Sequence, residues 1–170
     1  IYDDTDKSEL NFVKKTLPKS SNSSVFDTQL KSYEIGMQSV LIRNNIKIDF
    51  NKELEFSPDY DLMMRIAASY KVYVINEHLI KYRIVSNSLT NQKIDKWSSE
   101  MKFTLDNLKK NKDLYSKHES NFNFAYAKVE YNKARYLFMQ DKRAQAIKAL
   151  SQWKFISIKY FLLYILALLG

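Results

Sequence analysis

Residues 57 to 66, Ser-Pro-Asp-Tyr-Asp-Leu-Met-Met-Arg-Ile, constrain this chain more than any other stretch, because they fix where a helix begins. Ser57 suits the N-cap, where a hydroxyl can accept a bond from an orphan backbone N–H. Pro58 suits the first helical position, where its missing N–H costs nothing. Asp59 and Asp61 then fall in the first turn, at the positive end of the helix dipole. Leu62, Ile66, Ala67 and Tyr70 follow at helical spacing and predict the buried face. A carboxylate held at such a position has the chemistry of a general base. Acids also simply suit first helical turns, so the window alone leaves both readings open.

The flanks predict extended chain. Gln38 to Arg43 reads as a strand, Lys71 to Ile75 as a second, and Leu79 to Ile84 as a third. The polar run Ser86-Asn87-Ser88-Leu89-Thr90 follows. In this order Ser39 to Arg43, Asp59 to Ala67 and Tyr82 to Thr90 resemble three motifs of family 2 glycosyltransferases of the GT-A fold. Those motifs run S-V-L-I-R-R, E-D-Y-D-L-x-x-R-x-A and Y-R-x-H-x-x-S-x-S/T. The resemblance covers roughly residues 30 to 95 and rests on three weak elements at the right spacing.

The resemblance implies an α/β fold, a partial GT-A or nucleotide-diphospho-sugar transferase-like domain, followed by an α-helical extension. It implies that Asp59 is the general base, taking the proton of an acceptor hydroxyl as that oxygen attacks the anomeric carbon. Asp61 and Arg65 match supporting positions. Two residues depart from the pattern. Pro58 stands where the family has Glu, and Val85 stands where it often has a His that helps hold the metal or diphosphate. Donor binding would then lean on Arg83 or on residues outside this chain.

The resemblance aligns with only the acceptor side of a catalytic domain, so the chain reads as part of an enzyme. Residues 1–92 would be that acceptor-side part, 93–153 a basic helical extension and 154–170 an apolar tail. The resemblance implies a divalent cation, Mn²⁺ or Mg²⁺, with ligands mostly outside this chain. Asp4-Thr5-Asp6 is a literal D-x-D. A metal-binding D-x-D needs a buried apolar strand before it, to hold it rigidly beside a diphosphate. Only Ile1 and Tyr2 precede this one, so Asp4 and Asp6 read as a polar turn.

Composition sets the broad class. Hydrophobic residues make up 45% of the chain and aromatics 14%, which excludes a disordered protein. With 2 Gly and 2 Pro the chain has few sharp breaks, which predicts long helices. With 0 Cys there is no disulfide framework, and nothing points to secretion. The wealth of Lys, Asn, Ile and Tyr fits a bacterium with an A+T-rich genome.

Charge is unevenly placed. Residues 1 to 90 carry 12 basic and 12 acidic side chains, whereas residues 91 to 170 carry 15 and 7, so the formal +8 lies in the C-terminal part. Such a block suits nucleic acid or an anionic membrane. No nucleic-acid-binding motif accompanies it, so nucleic acid is not expected.

Three helices are predicted in the C-terminal part. Trp97, Met101, Leu105 and Leu108 mark the first, Phe124, Ala127, Tyr131, Ala134 and Phe138 the second, and Ala144, Ile147 and Leu150 the third. Residues 126 to 150 faintly resemble one tetratricopeptide-type hairpin, which alone is not an array. The tail from Tyr160 onward carries no charge. As a helix, residues 155 to 170 would span about 24 Å, short of the roughly 30 Å hydrocarbon core. An interfacial helix fits: Trp153, Tyr160 and Tyr164 at headgroup level, Phe161, Leu162 and Ile165 inserted, and Lys154 and Lys159 toward anionic lipid. A final helix buried against its predecessors fits almost as well.

The expectation is therefore part of a bacterial inverting glycosyltransferase, peripheral on the inner face of the cytoplasmic membrane. Its donor would be a nucleotide-sugar and its acceptor a hydroxyl of a cell-surface or lipid-linked glycan. The alternative is a non-catalytic helical scaffold for a partner protein or the membrane surface.

Overall fold

The computed structural model describes residues 2–3, 22–75, 77, 79–80, 83–84 and 96–169. The chain divides into two compact units, Ile1–Trp97 and Ser98–Gly170.

In the first unit, α1 (Asn22–Lys31) packs on α2 (Pro58–Ser69). Val25, Phe26 and Leu30 of α1 are buried, as are Tyr60, Leu62, Met63, Met64 and Ala67 of α2. The buried arc of α2 is wider than the spacing predicted, since both methionines join it. Tyr70, expected on that face, instead follows the helix in extended conformation and is exposed.

The expected α/β fold is not what the described residues form. They are helical, with one pairing of extended chain: β1 (Tyr2–Asp3) runs parallel to β2 (Arg83–Ile84), two residues each. Residues 40–43 and 71–75 carry neither helix nor ladder, and a short 3₁₀ turn occupies Met37–Ser39. The strands expected at 38–43 and 71–75 are therefore not formed, and Gln38 and Ser39 belong to the 3₁₀ turn. A strand needs a neighbour to take its N–H and C=O groups, and no such neighbour exists among the described residues. Leu41 is consequently 98% exposed, and Tyr73, Ile75 and Leu79 also face outward.

The second unit is built from helices joined by turns, the longest of them at residues 151–157. The first helix, α3 (Trp97–Lys109), begins at the boundary between the units. A two-residue link leads to α4 (Lys112–Met139), capped by Asn111, whose Oδ1 accepts the Leu114 N–H at 3.0 Å. The helix departs from helical geometry at His118 (φ −123°, ψ 20°). α3 lies along α4: the Tyr126 hydroxyl donates to Asp106 at 2.9 Å, and Lys102 and Lys109 each sit 5.7 Å from the Tyr126 ring. Asp141, at φ 58°, reverses the chain in the left-handed region that Asp tolerates. Next come α5 (Arg143–Leu150) and α6 (Ile158–Leu169).

Helices α4, α5 and α6 share one core. Ala127 and Ala134 of α4, Ala146 and Leu150 of α5, and Tyr160 of α6 are buried together. Small side chains at three of these positions leave room for the Tyr160 ring, which stacks on Tyr131 at 4.3 Å and 11°. The predicted helices of this region are thus present, and α6 starts three residues later than the apolar run does. No described helix is long and apolar enough to cross a membrane.

Tyr160 is 1% exposed and its hydroxyl has no hydrogen-bond partner among the described residues. Burial comes first, and the Tyr131 phenol second, in pushing its pKa upward. Tyr160→Phe should therefore leave stability unchanged or slightly raised, because an unpartnered buried hydroxyl is removed. Tyr160→Ala should cost about 3–5 kcal/mol, as for other large-to-small aromatic changes in a core. Urea unfolding followed by far-ultraviolet circular dichroism measures both.

Candidate functional site

The two acids at the start of α2 have different surroundings. Asp61 is buried, and its Oδ2 accepts from Arg65 Nε at 2.8 Å, one turn along the helix. The Arg65 head also donates through Nη2 to the Asp49 carbonyl at 2.6 Å. Arg65 thereby ties the loop before α2 to the helix. This pair holds structure, and its carboxylate is committed to it.

Asp59 is half-buried. Its Oδ1 accepts the Tyr60 backbone N–H at 2.9 Å. Its Oδ2 makes no hydrogen bond to the described residues. The result is a carboxylate anchored at one oxygen and open at the other.

The Ser57 hydroxyl does not cap α2: Ser57 stands at the N-cap position, but its side chain makes no capping bond. The Tyr60 N–H, third in the helix, is taken by Asp59. The Ser57 carbonyl still accepts the Asp61 N–H at 3.2 Å.

Tyr33 completes the site, and no spacing in the sequence pointed to it. Its ring meets that of Tyr60 edge-on at 4.9 Å. Its buried hydroxyl has no hydrogen-bond partner among the described residues. Burial pushes the Tyr33 phenol well above its usual range, the Asp59 charge adds to this, and Tyr60 adds less. Burial also raises Tyr60, with the Asp61 charge second. Tyr33 is therefore a neutral phenol within electrostatic reach of Asp59. A neutral phenol can donate to, or accept from, a hydroxyl brought to Asp59.

The other expected site residues lie elsewhere. The backbone of Arg83 is in β2, opposite Tyr2. Asp4, Asp6, Tyr82, Val85 and the run to Thr90 lie outside the described residues. No group of three or more His, Asp or Glu side chains converges as a metal site among the described residues. Of the tail residues, Tyr160 is buried, Trp153, Tyr164 and Ile165 are half-buried, and Phe161 and Leu162 are exposed. No protein-family model, curated protein or solved structure matches this chain.

Two buried tyrosines make alkaline stability informative. The ordinary phenol loses its proton near pH 10, whereas folded Tyr33 and Tyr60 hold theirs above it. Their contribution is complete below about pH 10 and declines as the pH rises further, because only the unfolded chain ionises there. The urea midpoint should fall between about pH 9 and about pH 11. It should fall less in Tyr60→Phe, and equal falls in both proteins would remove the assignment.

Proposed function

We propose that Asp59 is the general base of a glycosyl transfer. In this reaction the acceptor hydroxyl oxygen forms a bond to the anomeric carbon of a nucleotide-sugar. The bond from that carbon to the diphosphate breaks, the configuration inverts, and Asp59 takes the hydroxyl proton. A carboxylate suits this step because a neutral hydroxyl is a weak nucleophile. The carrying observation is the contrast between the two acids: Asp61 is consumed by Arg65, whereas Asp59 is anchored at Oδ1 and open at Oδ2. The resemblance of residues 39 to 90 supports the same residue. Tyr33 would steady the acceptor hydroxyl, a role that fits its buried, unpartnered phenol.

The donor and its divalent cation, Mn²⁺ or Mg²⁺, would be held by groups beyond the described residues, and Arg83 is a candidate on the donor side. The acceptor would be a cell-surface or lipid-linked glycan at the inner face of the bacterial cytoplasmic membrane. A second reading, a non-catalytic helical scaffold, draws on the helical character of the described residues.

Turnover separates the two. The natural gene product, offered a panel of nucleotide-sugars, should release nucleoside diphosphate. Asp59→Asn should lower that rate roughly 10²- to 10⁴-fold with little loss of stability. Asp61→Asn should do the opposite, leaving most of the rate and costing about 1.5–3 kcal/mol through the lost charged hydrogen bond. Arg65 is partly exposed, which places the cost toward the low end of that range. Equal rate losses from both variants, or none, would return the chain to the scaffold reading.

A further inference from the structure

After Lys159, helix α6 is apolar on every side, yet only one side is used by the fold. Tyr160 and Ala167 are buried, and Leu163 and Tyr164 pack beside them against α4 and α5. The opposite side presents Ile158, Leu162, Leu166 and Leu169, spaced by 4, 4 and 3 residues on one continuous stripe. Each of the four is exposed, Leu169 to 81%. At the start of the stripe Phe155, 80% exposed, stacks with Phe161 at 6.0 Å.

The charges around this stripe have one sign. From Lys142 to Leu169 there are five cations and no acidic side chain. Asp141, just upstream, pairs with Arg143 at 3.0 Å. Lys142, Lys148, Lys154 and Lys159 form no ion pair among the described residues. Lys154 sits 5.3 Å from the Phe155 ring and 4.7 Å from that of Tyr164, and Lys159, beside the stripe on the helix, lies 5.2 Å from the Tyr131 ring and 5.3 Å from that of Tyr160.

We infer that the outer face of α6 docks in the plane of an anionic lipid surface. Aliphatic side chains enter the acyl boundary, the Phe155–Phe161 pair lies at its edge, and Lys154 and Lys159 meet lipid phosphates. Charge complementarity chooses this occupant. A second copy of the same face would bring cations against cations, and an uncharged partner would leave them unmatched. The helix, 12 residues long, covers about 18 Å, which suits lying in the interface rather than crossing it. This contact supplies the membrane placement in the proposed function, although it does not involve Asp59.

Co-sedimentation of the 170-residue chain with vesicles tests the inference. The chain should pellet with phosphatidylcholine–phosphatidylglycerol vesicles and more weakly with phosphatidylcholine alone. K154Q/K159Q should lower partitioning to the anionic vesicles about 30-fold, at roughly fivefold per cation, and leave the neutral vesicles unaffected. L162S/L166S/L169S should lower partitioning to both by on the order of 100-fold, since the lost burial is not screened by charge or salt. These side chains are exposed, so circular dichroism should report an unchanged fold. Asp59→Asn should bind as the parent does, so a failed catalytic assignment leaves this result standing. The inference is overturned if the folded parent stays in the supernatant with anionic vesicles. It is also overturned if the triple-serine variant pellets like the parent, or if sedimentation equilibrium shows the stripe holding a dimer that ignores lipid.

Discussion

Every backbone N–H and C=O removed from water needs a partner, and this requirement decides which apolar segments of the chain become regular structure. A helix meets it within its own sequence. The second unit does so along α3, α4, α5 and α6, and its side chains are then free to pack. Extended chain meets it only through another segment. Among the described residues that happens once, between Tyr2–Asp3 and Arg83–Ile84. Elsewhere Leu41, Tyr73 and Ile75, in segments without regular structure, remain exposed.

The same requirement separates what could be read in the sequence from what could not. Helical periodicity is local, so Pro58 as a helix start and the repeats from Trp97 to Leu150 were legible. Strand pairing is not local. The composition of 38–43 and 71–75 suggested strands but carried no information about a partner, and no ladder forms there. The Asp61–Arg65 pair was readable from its four-residue spacing. The Asp49 carbonyl that completes it was not, because a backbone acceptor leaves no mark in a side-chain pattern. Tyr33 is invisible for a similar reason: it reaches the Asp59 neighbourhood only because α1 packs on α2.

Two carboxylates two residues apart would look equivalent in a helix's first turn. Geometry divides them. At 3.6 residues per turn they point about 200° apart around the axis, and they meet different surroundings. Asp61 turns into the protein and is tolerable there because Arg65 neutralises it and supplies a hydrogen bond. Asp59 turns toward the edge, where the nearest backbone N–H belongs to Tyr60. That N–H is met by an acid within the helix rather than by the Ser57 hydroxyl before it. Binding one oxygen of a carboxylate to the helix fixes its direction while leaving the second oxygen available, which is the arrangement proton abstraction needs.

The apolar tail joins two behaviours that composition alone presents as alternatives. An all-apolar helix has no polar side to give to water, so packing one side leaves the other still apolar. The side chains differ by face nonetheless. The inner face carries Tyr160, Leu163 and Tyr164, which pack with the alanines of α4 and α5. The outer face carries branched aliphatics, which gain by leaving water but demand no particular shape from what they meet. A protein partner would be selected by shape, whereas lipid is selected by apolar area and charge sign. The stripe supplies area, and the surrounding lysines supply a sign. Docking through Tyr160 also fixes which way the stripe faces, so the fold orients the surface it leaves uncovered.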